Sequence, residues 1–190
     1  MEIPSDCADL ILPLRTPRTL LRELRPGDLE DVFVLCSHPD ICRYIRPPMS
    51  PDEVRDHIQA RRRPWHFTEM TWYSLGVCRS GEERVIGELV FRLESRACRR
   101  AEVGYRFHPD SQGQGLAAEA LAPLIRLLFR HLNLHKLMAY CITENLPSIR
   151  LLERFGFEKE GHLRQQQFQD GRWWDLGVYG LLAETFSPLA

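Results

Sequence analysis

Two glycines, Gly113 and Gly115, stand in the segment Gln-Gly-Gln-Gly-Leu-Ala at 112–117, between a strand-like stretch and an apolar run with helical spacing. Glycines at such a corner let the backbone turn tightly and leave its N–H groups accessible. The first turn of a helix adds unpaired N–H donors and the positive end of the helix dipole. The corner can therefore hold a phosphate group, although an ordinary glycine-rich turn would read the same way.

The spacing of this corner differs from that of two common nucleotide-binding loops. A Walker loop ends in Gly-Lys-Ser or Gly-Lys-Thr, and the segment contains no lysine. In the dinucleotide fingerprint Gly-x-Gly-x-x-Gly, the third glycine would fall at Ala118. Both loop types are therefore excluded.

Hydrophobic periodicity predicts an alternation of strands and helices along the chain. The predicted strands are 19–24, 72–79, 84–93, 99–108, 136–143, 157–169 and 172–182. The predicted helices follow Asp28 and Ser50 as N-caps, Ser50 with a capping box to Glu53, and then span 116–132 and 147–155. This order predicts one α/β domain over 1–190, with a mixed sheet and helices on both faces.

Composition excludes several classes of protein. The formal net charge of −1 over 190 residues lacks the basic excess typical of nucleic-acid binding. No apolar run approaches the roughly 18 residues that span a bilayer, and the acidic, proline-containing start does not resemble a signal peptide. The six cysteines form no Cys-x-x-Cys pair, which argues against a metal site and favours reduced thiols in a cytoplasmic protein.

Four segments, in order, resemble the GNAT superfamily of N-acetyltransferases. Gln112-x-x-Gly115-x-Ala117 resembles the family's Gln/Arg-x-x-Gly-x-Gly/Ala motif, which binds the pyrophosphate of acetyl-CoA. The segment 145–157 is similar to the family's Asn-x-x-Ser…Gly-Phe stretch, and 85–88 and 101–105 resemble the two strands before the motif. The segment 170–179 resembles the closing hairpin of the RimJ/RimL-like branch, which includes enzymes that acetylate the N-terminal amines of ribosomal proteins. The matches run from about residue 14 to 185.

The resemblance implies a splayed, mostly antiparallel twisted sheet and acetyl-CoA as co-substrate. His108, His131 and His135 have no metal-ligand spacing, so no metal is expected. It implies an acceptor that is a protein N-terminal amine or a small-molecule amine, and it makes a homodimer plausible. The residues it places against the cofactor are Val103, Tyr105, Gln112, Gly113, Gln114, Gly115, Leu116, Ala117, Asn145 and Ser148.

Acetyl transfer needs a group that accepts a proton from the attacking amine, because a protonated amine has no lone pair. Glu102 is the first candidate, since family members often carry a carboxylate in that strand, and Glu88 on the preceding strand is the second. A water relay is an alternative for both. Either carboxylate could instead serve as an ion-pair partner or a solvated edge residue.

The departing thiolate needs a proton donor, and here the chain departs from the commonest family pattern. Many members carry a tyrosine where this sequence has Leu152. Ser148 lies one helical turn earlier, and its hydroxyl could donate a proton or order a water, or could simply cap the helix. Asn145 has an amide that suits the pantetheine or the incoming substrate, with capping again as the alternative.

Three further features bear on the acceptor. The run Arg61-Arg62-Arg63 is either a solvated helix end or a binding site for phosphate or an acidic substrate. Tyr44 and Arg46 lie in the region that the resembling family uses to shape its acceptor pocket. As an alternative to an enzyme, the chain could be a non-catalytic module that senses or regulates through a bound acyl-CoA.

Overall fold

The computed structural model describes residues 12–62 and 65–187. Cys7 and Arg63, which figure in the sequence analysis, lie outside the described residues. The strands are β1 (Leu14–Arg15), β2 (Thr19–Arg22), β3 (Trp72–Arg79), β4 (Val85–Ser95), β5 (Arg100–Phe107), β6 (Lys136–Ile142), β7 (Glu158–Gln169) and β8 (Arg172–Leu182). The helices are α1 (Leu29–Ser37), α2 (Pro39–Cys42), α3 (Pro51–Ala60), α4 (Leu116–Arg130) and α5 (Leu146–Arg154).

The described strands form one eight-stranded sheet in the order β1-β2-β3-β4-β5-β6-β8-β7. Every neighbouring pair is antiparallel except β5 and β6, which are parallel. A parallel pair needs a crossover connection, and α4 supplies it. The predicted mixed, mostly antiparallel α/β fold is therefore confirmed.

Strands β5 and β6 pair over a short stretch and then part. Their paired residues are Arg100 to Glu102 on β5 and Lys136 to Met138 on β6, although β5 continues to Phe107 and β6 to Ile142. The expected splay is thus present. Because β4 pairs with the other edge of β5 along its whole length, the edge of β5 beyond Glu102 faces an open cleft.

Helices cover both faces of the sheet, and consecutive strand residues alternate between two apolar cores. Leu21 and Val77 belong to the larger core, which packs under α4 and α5. Their neighbours Leu20 and Cys78 belong with the smaller core under α1 and α3. In the described part of the chain, no helix is both long and apolar enough to cross a membrane.

Local signals predicted the helix starts well, with one exception. The capping box at Ser50 is present: the Ser50 N–H donates to Glu53 Oε2 at 2.7 Å, and the Glu53 N–H donates to Ser50 Oγ at 3.3 Å. Asp28 does stand at the N-cap position of α1, but its side chain makes no capping hydrogen bond. The predicted capping role is therefore wrong.

The Asp28 carboxylate instead forms a buried ion pair. Its two oxygens accept from Arg22 Nη1 and Nη2 at 2.8 Å each, and Oδ2 also accepts from the Arg25 N–H at 2.6 Å. A buried arginine must find a partner, because leaving it uncompensated typically costs about 3–5 kcal/mol. This requirement outweighs the smaller gain from a helix cap, about 1 kcal/mol.

The tip of the β7–β8 hairpin closes over the segment that follows α2. The Gln169 side-chain amide donates to the carbonyls of Cys42 and Arg43 at 3.1 and 3.3 Å. The rings of Tyr44 and Trp174 meet edge to face with centroids 5.5 Å apart. These contacts hold the hairpin tip against the segment that follows α2.

Candidate active site

The glycine corner joins the end of β5 to α4. Gly113 and Gly115 have φ of +71° and +76°, a left-handed conformation that other residues rarely adopt. Gly115 is the N-cap of α4, and no side chain caps it. The first N–H groups of the helix have no intrahelical acceptor, so the corner presents backbone donors to an anion.

The two glutamines of the corner hold its shape. The Gln112 amide donates to the Phe107 carbonyl at 2.9 Å, and the Gln114 amide donates to the Asp110 carbonyl at 2.7 Å. Arg79 Nη2 donates to Gln114 Oε1 at 2.9 Å. Because both side chains are used to brace the loop, the backbone donors are the groups left to contact a ligand.

Arg18 lies over this corner, which the sequence analysis did not anticipate. Its Nη1 donates to the Gln114 carbonyl at 3.1 Å and its Nε to Glu119 Oε2 at 2.6 Å. Nη2 lies 3.5 Å from the position that a Cβ atom on Gly115 would occupy. Arg18 and Glu119 are 101 residues apart, so no local pattern could have revealed their contact.

Tyr105 reaches from β5 across the cleft to α5. Its hydroxyl donates to the Ser148 carbonyl at 3.0 Å, and the two hydroxyl oxygens are 2.9 Å apart. Since the Tyr105 proton is directed to the carbonyl, the Ser148 hydroxyl can donate to the Tyr105 oxygen. Burial raises the pKa of Tyr105, so the phenol stays protonated.

The start of α5 separates the roles left open for Asn145 and Ser148. Asn145 is the N-cap, and its Oδ1 accepts from the Ser148 N–H at 3.3 Å. Capping is therefore a role of Asn145 and not of the Ser148 hydroxyl. Leu152, where a tyrosine is common in the family, is buried in the larger core.

Glu102 projects from the opposite face of β5 to Tyr105, because the two positions are three residues apart on a strand. Its Oε2 accepts from both Nε and Nη2 of Arg92, at 2.7 and 2.6 Å. Neither bond uses Oε1. Burial raises the pKa of Glu102 and outweighs the lowering by Arg92, so the carboxylate is a better base than an exposed glutamate.

Glu88, the second candidate base, is fully buried and paired. Arg106 Nε donates to its Oε2 at 2.7 Å, and His57 Nε2 lies 2.7 Å from its Oε1. Burial alone would raise the pKa of Glu88, but Arg106 and the His57 hydrogen bond lower it well below the usual range. Glu88 thus remains ionised and out of a substrate's reach.

The structure places most of the predicted residues along β5 and at the starts of α4 and α5, whereas Glu102 lies where β5 is still paired with β6. The corner lies at the outer end of β5, Val103 and Tyr105 lie along the strand, and Ser148 lies across from Tyr105. Within residues 12–62 and 65–187, no cluster of three His, Cys, Asp or Glu side chains could hold a metal ion.

Comparisons with known proteins agree with this geometry. Residues 18–158 match the model of the acetyltransferase (GNAT) domain. The chain is 35% identical over 179 residues to an uncharacterized N-acetyltransferase, p20, of Bacillus licheniformis, which covers 92% of this chain and 98% of the relative. It is 33% identical over 186 residues to the ribosomal protein uS5-alanine N-acetyltransferase of Escherichia coli, with 92% and 93% covered.

A solved structure shows the same fold. The crystal structure of spermidine N-acetyltransferase from Vibrio cholerae, in complex with CoA and spermine, matches with a TM-score of 0.77 and 27% identity. The match covers 89% of this chain and 98% of that chain. Because the relatives are N-acetyltransferases, the alternative of a non-catalytic acyl-CoA module has no support. The chain belongs to the GNAT superfamily of N-acetyltransferases, and ribosomal-protein acetyltransferases are among its relatives.

Proposed function

We propose that this enzyme transfers the acetyl group of acetyl-CoA to a primary amine. The observation that carries the proposal is the parting of β5 from β6 beside a glycine corner that opens α4. Backbone groups of β5 beyond Glu102 lack strand partners on the cleft side, so they are available to the amides of an extended ligand. The Vibrio cholerae relative binds CoA, which supports this assignment.

The pyrophosphate is proposed to lie over residues 112–117, and the pantetheine to run along Val103 and Tyr105. Backbone N–H donors and the helix dipole favour the phosphate charge. Arg18 adds a guanidinium group at the same place. Asn145 and Ser148 would face the cofactor from α5.

A substitution at Gly115 tests the phosphate site. A Cβ atom on Gly115 would project beside Arg18, above the corner. We expect Gly115→Ala to weaken acetyl-CoA binding by about tenfold or more, since charged hydrogen bonds contribute about 1.5–3 kcal/mol each. Isothermal titration calorimetry measures the affinity.

Gly171→Ala is the matched control for this measurement. Gly171 has a φ of +75°, and a Cβ atom there would meet nothing within 4 Å. Both variants carry a similar backbone strain, so both should lose similar stability, about 1–2 kcal/mol. Equal acetyl-CoA affinity in the two variants would contradict a phosphate site at Gly115.

Glu102 is the proposed base. Oε1, which Arg92 does not use, would take a proton from the acceptor amine, directly or through a water, as the nitrogen attacks the thioester carbonyl. The raised pKa suits this task because a base closer to the working pH transfers protons more effectively.

The pH dependence of kcat/KM tests this role. Activity requires ionised Glu102, so the rate should fall as the pH drops through a pKa that lies above the ordinary glutamate range. Protonation of the acceptor amine gives a separate limb at higher pH, at about pH 8 for an α-amino group, which every variant should keep. Glu102→Gln should remove the lower limb and slow the reaction by about a hundredfold. Glu94→Gln, which alters a neighbouring carboxylate paired with Arg100, should keep both limbs. A lower limb that persists in Glu102→Gln would exclude Glu102 as the base.

Ser148 is the proposed proton donor to the departing thiolate, directly or through a water that Asn145 helps to hold. Its hydroxyl oxygen lies 2.9 Å from that of Tyr105, whose proton can turn from the Ser148 carbonyl to the Ser148 hydroxyl oxygen as that oxygen gives up its own proton. Burial raises the pKa of Tyr105 and keeps the phenol protonated, so it can supply this supporting hydrogen bond.

Paired hydroxyl deletions test this assignment. We expect Ser148→Ala to lower kcat by about a hundredfold or more while leaving the dissociation constant of acetyl-CoA unchanged. Tyr105→Phe keeps the serine and should have a smaller effect on kcat. If Ser148→Ala turns over within about twofold of the parent, the thiolate takes its proton from bulk water.

A further inference from the structure

Arginines outnumber carboxylates on the sheet face beside Glu102. Arg106 pairs with Glu88, and Arg92 pairs with Glu102. Arg61, at the end of α3, makes a long ion pair with the same Glu88, its Nη1 lying 3.9 Å from Oε1, and donates a hydrogen bond to Ser74 Oγ at 3.4 Å. The next pair on this face, Arg100 with Glu94, is neutral. The excess positive charge therefore resides at Arg61.

Arg61 shares an aromatic neighbour with the arginine that binds the proposed base. Its guanidinium carbon is 5.9 Å from the centroid of the Trp72 ring, and that of Arg92 is 4.7 Å from the same centroid. Both guanidinium groups therefore contact one ring. The Arg61 side chain is 20% exposed, so a ligand at this surface can reach it while bulk water screens it weakly.

The surroundings of Arg61 favour a bound anion. Burial is the main influence that lowers its pKa, and the neighbouring charges of Arg106 and Arg46 lower it further against the opposite effect of Glu88. An arginine stays charged in spite of such shifts. A half-buried guanidinium among like charges gains from an anionic partner, and its fork of donors matches a carboxylate.

We propose that the amine acceptor of this enzyme carries an anionic group and that Arg61 binds it. This inference rests on the proposed function and adds the chemical class of the acceptor. The anion could be the α-carboxylate of a free amino acid or an acidic side chain near the N-terminus of a peptide.

A polyamine fits this surface poorly. Glu102 and Glu88 offset the charges of Arg92 and Arg106, so a polycation would meet the excess positive charge of Arg61. An aromatic face could attract it through cation–π contacts, but the Trp72 ring already has two guanidinium groups against it. The surface around Arg61 therefore discriminates by charge against an acceptor of the spermidine class.

Matched acceptors test the inference with the parent enzyme. The first set contains amidated peptides that begin with alanine and carry aspartate, asparagine or lysine at the second or third position. The second set compares free alanine with alaninamide, and spermidine completes the panel. We expect an anionic acceptor to exceed its neutral match by about tenfold or more in kcat/KM, read as thiol release. The set that shows this preference identifies the source of the anion.

Three variants test whether Arg61 causes this preference. Arg61→Gln should bring the anionic and neutral acceptors to within about twofold of each other, with the affinity for acetyl-CoA unchanged. Arg61→Lys keeps the charge and should retain part of the preference. Arg62→Gln removes an exposed neighbouring charge and should leave the preference intact. Thermal unfolding of each variant separates a folding defect from a binding defect.

The outcomes distinguish the two proposals. Acetylation without any preference for anionic acceptors, or with spermidine preferred, would overturn the inference and leave the proposed function standing. An undiminished preference in Arg61→Gln would also overturn it. Binding of acetyl-CoA without acetylation of any acceptor would contradict the proposed function, and the inference with it.

Discussion

The short pairing of β5 with β6 is the constraint on which the site depends. Parallel strands require a crossover, so α4 begins just after the carboxyl end of β5. Because β5 and β6 part before that end, a cleft opens between them. Free backbone groups of β5 form one wall of the cleft, and the N-terminus of α4 lies at its outer end. A ligand that has amides followed by a pyrophosphate can place its amides along β5 and its pyrophosphate at the N-terminus of α4.

The proposed base and the proposed acid lie on different faces of β5. Glu102 lies on the face covered by α1 and α3, where the hairpin tip also closes over the segment after α2. Tyr105 lies on the other face and contacts Ser148 on α5. Strand alternation thus places the proposed base on one face of β5 and the proposed acid beside the other face. The acceptor and the leaving thiolate can then exchange protons with different groups.

The sequence predicted those features that depend on neighbours along the chain. The glycine corner, the capping box at Ser50 and the strand β8 follow from local conformational preferences and hydrophobic alternation. The two-residue strand β1 and the four-residue helix α2 were missed because such short elements carry no periodicity. Ion pairs between residues far apart in the sequence also could not be predicted. The partner of Arg18 lies on α4, and Asp28 binds Arg22 instead of capping α1, since a carboxylate suits several partners.

Amide hydrogen exchange with and without acetyl-CoA tests the central claim most directly. If the cofactor lies in the cleft, exchange should slow at residues 103–107 and 113–118, where backbone donors meet it. The β7–β8 hairpin turn around Gly171 lies away from the corner and should exchange at the same rate in both samples. Protection confined to other parts of the chain, with none along β5 or at the start of α4, would contradict this account.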